Sequence, residues 1–287
     1  MTAAGYGRGT LRIVHLFPDL LNVYGDGGNV RALARRAAAR GIGVEHLAVR
    51  AGDPAVPRAD VFLIGGGQDR EQVAVARELA RVGQAIRDQV ADGAALLAIC
   101  GGYQSLGWGY RAGDGVDIEG PGVLDVRTEA KPGRLVGPVV AQLSEPSPVE
   151  QEAPRTLVGF ENHSGRTWLG TGARAFAEVE IGNGNNAVDR GEGNLACPGD
   201  GGLLGLRIGT YLHGPLLPRN PHVADALIAA GLARGGPPVD LAPLDDTTEW
   251  QAHLRFAARI REHDRRERRI PGWVHRIVDR PRSLIGF

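Results

Sequence analysis

The sequence predicts an α/β fold built around a mostly parallel central sheet. Apolar, strand-like runs alternate with amphipathic helical segments through the first third of the chain, and glycine-rich turns follow two of these runs. Such alternation is typical of βαβ units, in which ligands bind beyond the carboxyl ends of the strands. The two glycine turns, at 65–67 and 101–102, are therefore expected to face one cleft.

Each element of the first part is predicted from its apolar period and its end signals. Gly41 and Gly93 follow the two helical segments in the manner of glycines that end helices. In chain order, the predictions are strand 11–17, helix 30–40, strand 44–49, strand 59–64, helix 70–92 and a strand that ends at Cys100.

After residue 108 the pattern predicts short, turn-rich β segments, then a helix and a final charged helix. The β segments are 122–126, 135–143, 156–160, 173–181 and 204–208, with loops at 146–154 and 182–202, and the helices are 222–234 and 248–269. A Gly-Pro linker begins at residue 235. Two units are therefore predicted, a main domain at 1–235 and an Arg-rich helical extension at 236–287.

Composition is that of an ordinary soluble protein, with 43% hydrophobic and 23% charged residues among 287. No apolar run reaches the roughly 18 residues of a membrane span, and no secretory leader precedes the first strand. A cytoplasmic protein is expected. Two cysteines and scattered histidines predict neither a disulfide framework nor a metal site.

Charge is unevenly distributed, although the formal net charge is zero. Residues 251–287 hold ten Arg and four acidic residues, with only three aromatic residues and no known nucleic-acid-binding module, so a solvated or protein-docking face is favoured over nucleic acid. Lys131 is the single lysine, and the chain has no phosphate-binding loop motif. No ATP use and no cofactor are therefore predicted for this chain itself.

Cys100 is the candidate nucleophile. It follows the uncharged run A-A-L-L-A-I and precedes Gly101-Gly102, a pattern that resembles the strand–turn–helix elbow of hydrolases. A position at a helix N-terminus favours the thiolate. The alternative is a buried cysteine that acts only as a small hydrophobic residue.

A nucleophilic cysteine needs a base from elsewhere in the chain. His213 is the preferred candidate because it follows a predicted strand and precedes a Gly-Pro turn, which places it at the same sheet edge. His163, in F-E-N-H-S-G-R-T, is its rival.

Several motifs in order resemble class I glutamine amidotransferases of the cobyric acid synthase type. These are the G-G-G turn, C-G-G-Y-Q, and G-T-Y-L-H-G-P placed so that His213 lies 113 residues after Cys100. The segments F-P-D-L-L-N-V-Y-G-D-G-G-N, I-G-G-G-Q-D-R-E-Q, G-F-E-N-H-S-G-R-T and G-N-G-N-N resemble more narrowly the GatD family of glutaminase subunits of lipid II isoglutaminyl synthase. The resemblance covers about residues 11–235 and implies a three-layer class I glutamine amidotransferase-like fold.

This resemblance implies glutamine hydrolysis through a thioester on Cys100, with His213 as base. It implies that N–H groups of Gly101 and of the 65–67 turn, with Gly66 preferred, hold the oxyanion. Arg134 is expected to bind the substrate α-carboxylate and Gln104 to hydrogen-bond substrate.

Further residues are expected to line the cleft or to shape a partner contact, without a catalytic role. They are His163, Asn162, Asp19, Tyr24, Asp26 and Asn29.

One departure from the common pattern concerns the group that orients the base. Many class I amidotransferases carry His-x-Glu, whereas here the second position after His213 is Pro215. Either a Cys–His pair suffices, or an acid comes from elsewhere. A partner subunit is the favoured source.

The resemblance also implies a heterodimer with a MurT-like subunit of the Mur ligase family, on which ATP and Mg²⁺ are expected. That subunit would activate D-glutamate of the lipid II stem peptide for amidation to D-isoglutamine in peptidoglycan synthesis, near the inner face of the membrane. Two alternatives remain: an ammonia supplier of a cobyrinate- or cobyric acid-type synthase, and a catalytically silent partner-binding subunit.

Overall fold

The computed structural model describes residues 9–67, 69–144, 154–196, 205–234, 236 and 239–268. The strands are β1 Thr10–Leu16, β2 Gly43–Val49, β3 Val61–Ile64, β4 Ala95–Ile99, β5 Gly109–Arg111, β6 Asp117–Glu119, β7 Val126–Leu143, β8 Thr156–Leu169, β9 Ala177–Ile181, β10 Gly191–Glu192, β11 Asn194–Ala196 and β12 Arg207–Thr210. The α-helices are α1 Gly27–Ala39, α2 Asp69–Ala91, α3 Gly101–Ser105, α4 Leu216–Arg219, α5 Pro221–Ala233 and α6 Thr247–Arg268.

A six-stranded sheet of order β11-β12-β4-β3-β1-β2 forms the centre of the molecule. All its strand pairs are parallel except the one between β11 and β12. The step from β1 to β2 and the step from β3 to β4 run in opposite directions across the sheet. Right-handed crossovers therefore place α1 and α2 on opposite faces, which confirms the α/β fold with a mostly parallel central sheet.

The interior of this sheet explains the sequence pattern. Every residue of β3 and β4 is buried, as expected for parallel strands covered on both faces. Helix α5, whose residues are almost all apolar, is buried over most of its length and packs on β4, β1 and β3. The predicted elements before Cys100 match the structure to within two or three residues at most ends.

The second sheet is longer than predicted. Strands β7 and β8 form an antiparallel pair of 18 and 14 residues, and β7 continues through Lys131-Pro132-Gly133 because the pairing register shifts between Ala130 and Leu135. The sequence predicted two separate segments, 122–126 and 135–143, whereas one strand runs through this Pro-Gly pair with a bulge. The prediction of a strand at 122–126 was wrong, and part of the predicted loop at 182–202 forms β10 and β11.

The described part of the C-terminal extension packs on the main body. Helix α6 buries His253, Ala257 and Ile260, and it contacts α4, β7, β8 and β9. Just before α6, Asp246 joins a buried ion-pair cluster with Arg36 of α1 and Asp225 of α5. The boundary at residue 235 stays a prediction. Among the described residues, no helix is both long and apolar enough to span a membrane.

Candidate functional site

Cys100 occupies a strained turn between β4 and α3. Its backbone has φ 48° and ψ −107°, a left-handed conformation that is uncommon for a residue with a side chain. Such strain at a strand–helix junction is typical of nucleophile elbows. The side chain is 7% exposed and lines a pocket of about 610 Å³.

The glycines after Cys100 allow this turn to approach β3. A Cβ on Gly102 would lie 2.7 Å from the Gly65 carbonyl oxygen and 2.8 Å from the Ile64 side chain. The N–H of Gly102 instead donates to that same carbonyl at 3.0 Å. The two glycine turns therefore contact each other directly, which goes beyond the prediction that both face one cleft.

His213 reaches the same sheet edge through β12. This strand lies beside β4, and the Cys100 N–H donates to the Thr210 carbonyl at 2.8 Å. The backbone of His213 is fixed by two hydrogen bonds with Phe160 of β8. His213 is fully buried, so its position is set by both sheets.

The two side chains converge on Gly66. A Cβ on Gly66 would lie 2.9 Å from His213 Cε1 and 3.2 Å from Cys100 Cβ. The candidate nucleophile and the preferred base are therefore neighbours, separated by the space that the missing side chain of Gly66 leaves.

A carboxylate of this same chain lies behind His213. Asp26 is fully buried at the N-cap of α1, but its side chain does not cap that helix. Its Oδ1 lies 3.3 Å from His213 Nδ1, and its Oδ2 accepts the Gly66 N–H at 2.7 Å. The structure therefore provides within one chain the acid that we had expected from a partner, and Asp26 is more than the cleft-shaping residue that the sequence suggested.

Burial and these neighbours have opposite effects on the pKa of His213. Burial alone would lower it, but the hydrogen bond with Asp26 and the interaction with Cys100 outweigh burial and raise the pKa to about 10. The imidazole is thus held as a cation beside the thiol at neutral pH. A thiolate is the reactive form of cysteine, and a cationic neighbour favours it.

The assignment of Gly66 as an oxyanion donor is corrected by this geometry. Its N–H is directed at Asp26 rather than at the pocket. Gly67 lines the pocket, and its nitrogen would lie 3.0 Å from a Cβ on Gly101. Gly67 and Gly101 are therefore adjacent beside Cys100, and their role as oxyanion donors stays a prediction, whereas Gly66 leaves room for His213 and donates to the Asp26 carboxylate.

Arg134 and Gln104 both line the Cys100 pocket, as predicted, and their substrate contacts stay predictions. Arg134 follows the bulge of β7 and donates to Asn162. Gln104 accepts a hydrogen bond from Gln72 Nε2 at 2.9 Å and donates to the Tyr211 hydroxyl at 3.1 Å. Gln72, also in the pocket wall, was missed because its helical position resembles an ordinary surface residue.

His163, the rival base, lies in the pocket wall with its ring stacked on Tyr211 at 3.5 Å between centroids. Its Nδ1 is 2.8 Å from the Gly165 carbonyl oxygen and its Nε2 is 3.7 Å from Glu161, whereas the Asp26 carboxylate lies behind His213. Of the other expected cleft residues, Asp19 is exposed outside the pocket lining and Asn29 accepts the Leu217 N–H. Within the described ranges, no cluster of His, Cys, Asp and Glu could hold a metal ion. Cys197 lies outside these ranges.

Comparison with known proteins agrees with this site. A family model for the CobB/CobQ-like glutamine amidotransferase domain matches residues 12–221. The chain is 39% identical to the lipid II isoglutaminyl synthase (glutamine-hydrolyzing) subunit GatD of Staphylococcus aureus, across 84% of this chain and 93% of that protein. It is 34% identical to the GatD subunit of Streptococcus pneumoniae, across 78% and 81%. A cobyric acid synthase of Sphingopyxis alaskensis is 32% identical, across 76% of this chain and 42% of that protein. The chain therefore belongs to the CobB/CobQ-like glutamine amidotransferase family, and within it to the GatD subunits.

Proposed function

We propose that this chain hydrolyses glutamine to glutamate and ammonia at Cys100. The observation that carries the proposal is the convergence of Cys100 and His213 on Gly66, with Asp26 behind the imidazole. This is the arrangement of nucleophile, base and orienting acid that acyl transfer requires. A catalytically silent subunit would not need a strained cysteine beside a histidine whose pKa is raised to about 10.

The reaction follows from the positions of these groups. The Cys100 thiolate attacks the carboxamide carbon, and the oxyanion that forms accepts hydrogen bonds from the N–H groups of Gly101 and Gly67. His213 then protonates the leaving nitrogen, the C–N bond breaks, and a glutamyl thioester and ammonia result. His213 next takes a proton from water, whose oxygen attacks the thioester, and glutamate leaves as the C–S bond breaks and the Cys100 thiolate is restored beside the protonated imidazole. Each oxyanion donor contributes about 3 kcal/mol in comparable enzymes.

We further propose that the ammonia serves a MurT-like ligase subunit, which uses ATP and Mg²⁺ to activate D-glutamate of the lipid II stem peptide. The names of the two GatD relatives, each a subunit of a lipid II isoglutaminyl synthase, support this acceptor over a cobyrinate-type one. The complex would act at the cytoplasmic side of the membrane, where its lipid-linked substrate is assembled.

The test is glutamate release by the chain co-purified with its candidate ligase. We expect Cys100→Ala to abolish release while leaving the complex intact. Mass spectrometry of lipid II then reports whether a carboxyl has become an amide. Unchanged glutamate release in Cys100→Ala would overturn the nucleophile assignment, and unmodified lipid II with active glutamine hydrolysis would overturn the acceptor.

A further inference from the structure

Arg134 is held along one edge of its guanidinium group. Its Nε donates to Asn162 Oδ1 at 2.7 Å, and its Nη2 donates to the Asn162 carbonyl oxygen at 2.9 Å. Arginine has five N–H groups in a planar fork, and these two bonds use the edge that contains Nε. The edge formed by Nη1 and Nη2 keeps the geometry that receives a carboxylate through two parallel bonds.

Asn162 is itself anchored by a second residue of the pocket lining. Its Nδ2 donates to the Tyr24 hydroxyl at 2.7 Å. Arg134, Asn162 and Tyr24 all line the pocket that contains Cys100. The amide oxygen of Asn162 therefore faces the arginine and its amide nitrogen faces the tyrosine, so its orientation is fixed by both neighbours.

Tyr24 in turn covers the base. Its ring packs edge-on against His213, with 4.8 Å between centroids, and against Phe160 at 6.1 Å. Its backbone has φ 55°, a conformation that is a genuine outlier for a bulky residue and persists only where the surroundings impose it. A continuous set of contacts thus joins the arginine to the imidazole.

We propose that Asn162, anchored by Tyr24, is a positioning residue that sets the specificity for the substrate α-carboxylate by fixing the open edge of Arg134. The inference rests on the proposed glutamine hydrolysis. Asn162 acts through Arg134 and contacts no reacting atom. A free arginine side chain must lose rotamer freedom when it binds a carboxylate, whereas an arginine already held by two bonds has lost most of it beforehand.

The test measures KM for glutamine in the complex of the chain with its ligase. We expect Asn162→Ala to raise KM about tenfold, the effect of losing the Nε hydrogen bond to a charged group while the backbone carbonyl keeps the Nη2 bond, with kcat reduced much less. Tyr24→Phe keeps the ring on His213 and removes only the anchor, so a smaller rise in KM is expected. Val136→Ala, a change at an exposed residue opposite Asn162 on β7, is the matched control and should leave KM unchanged.

Two further readouts separate positioning from a structural defect. Alkylation of Cys100 by iodoacetamide, which has no carboxylate, should proceed at the wild-type rate in Asn162→Ala when glutamine is absent. In an Arg134→Ala background, Asn162→Ala should have no further effect on KM, because the residue acts through the arginine. A slowed alkylation, or KM effects of the two substitutions that simply add, would overturn the inference. Absence of glutamine hydrolysis in the wild-type complex would instead count against the proposed function.

Discussion

Asp26→Asn is the most direct test of the in-chain acid. The two carboxylate oxygens serve two N–H donors, one on His213 and one on Gly66. The amide that replaces the carboxylate has one acceptor oxygen, so its NH₂ group must face one of these donors. The change is nearly isosteric, and it alters charge and hydrogen bonding at a fully buried position.

The expected magnitude follows from these two bonds. A hydrogen bond to a charged group contributes about 1.5–3 kcal/mol, and the amide can keep only one of the two bonds, so about 1.5–3 kcal/mol of interaction that holds the base is lost. Since about 1.4 kcal/mol corresponds to a tenfold change in rate, kcat for glutamine should fall by about 10- to 10²-fold. KM should change by less than about twofold, because Asp26 is not part of the pocket lining.

The pKa of His213 should fall in the same variant. In the native chain the raised pKa means that protonated His213 contributes stability that is complete below pH 6.5 and is lost as the pH rises toward about 10. Without the Asp26 anion, this dependence shifts to lower pH. Urea unfolding across that interval, together with the pH profile of Cys100 alkylation, measures the shift.

The matched control is Asp245→Asn, the same chemical change at an exposed residue whose carboxylate contacts Thr247. It should leave kcat and both pH profiles unchanged. If Asp26→Asn keeps wild-type kcat and an unshifted alkylation profile, then Asp26 does not orient the base, and the orienting acid must be sought in the partner subunit.

Three other substitutions test the surrounding structure. Gly66→Ala inserts a methyl group 2.9 Å from His213 Cε1, so glutamate release should be lost, whereas Gly137→Ala, with nothing within 4 Å of its Cβ, should be active. Arg36→Ala leaves Asp225 paired with Arg40 alone and removes the ion-pair partner of the buried Asp246 carboxylate. It should lower the free energy of unfolding, measured in urea, by about 3–5 kcal/mol without changing the KM of the folded enzyme. Burial raises the pKa of the Glu192 carboxyl from 4.5 to about 7, so the stability that protonated Glu192 contributes is lost as the pH rises through that interval. Glu192→Gln should flatten this pH dependence of the free energy of unfolding, measured in urea. An unchanged pH dependence would contradict the prediction.

The sequence predicted the central sheet well because its signal is local. Each residue of β4 is apolar, the Gly101-Gly102 pair follows at once, and no distant information is needed to expect a turn there. The long β7–β8 pair is different, because β8 pairs with β7 on both sides of the bulge that contains Pro132. This pairing comes from β8, about thirty residues away, and no local pattern contains it.

The same distinction explains the site. Cys100 and His213 were predicted because each follows a strand, and neighbouring parallel strands end at one edge. Asp26 follows no strand, and a helix N-cap is the most ordinary place for an aspartate. The motif G-D-G-G-N alone does not indicate that Asp26 orients the base. That inference also requires knowing that the glycine turn at 65–67 directs the Gly66 N–H at Asp26.

Backbone strain occurs in the part of the site whose geometry is hardest to predict from sequence. Cys100 and Tyr24 both have positive φ, and both line the same pocket. Neither residue type favours that conformation, so the surrounding tertiary structure must impose it. Phe17, Ala187 and Arg234 also have positive φ, but they are not part of this pocket lining. At the nucleophile and at the residue that covers its base, a chemical function gives a reason to retain the strain.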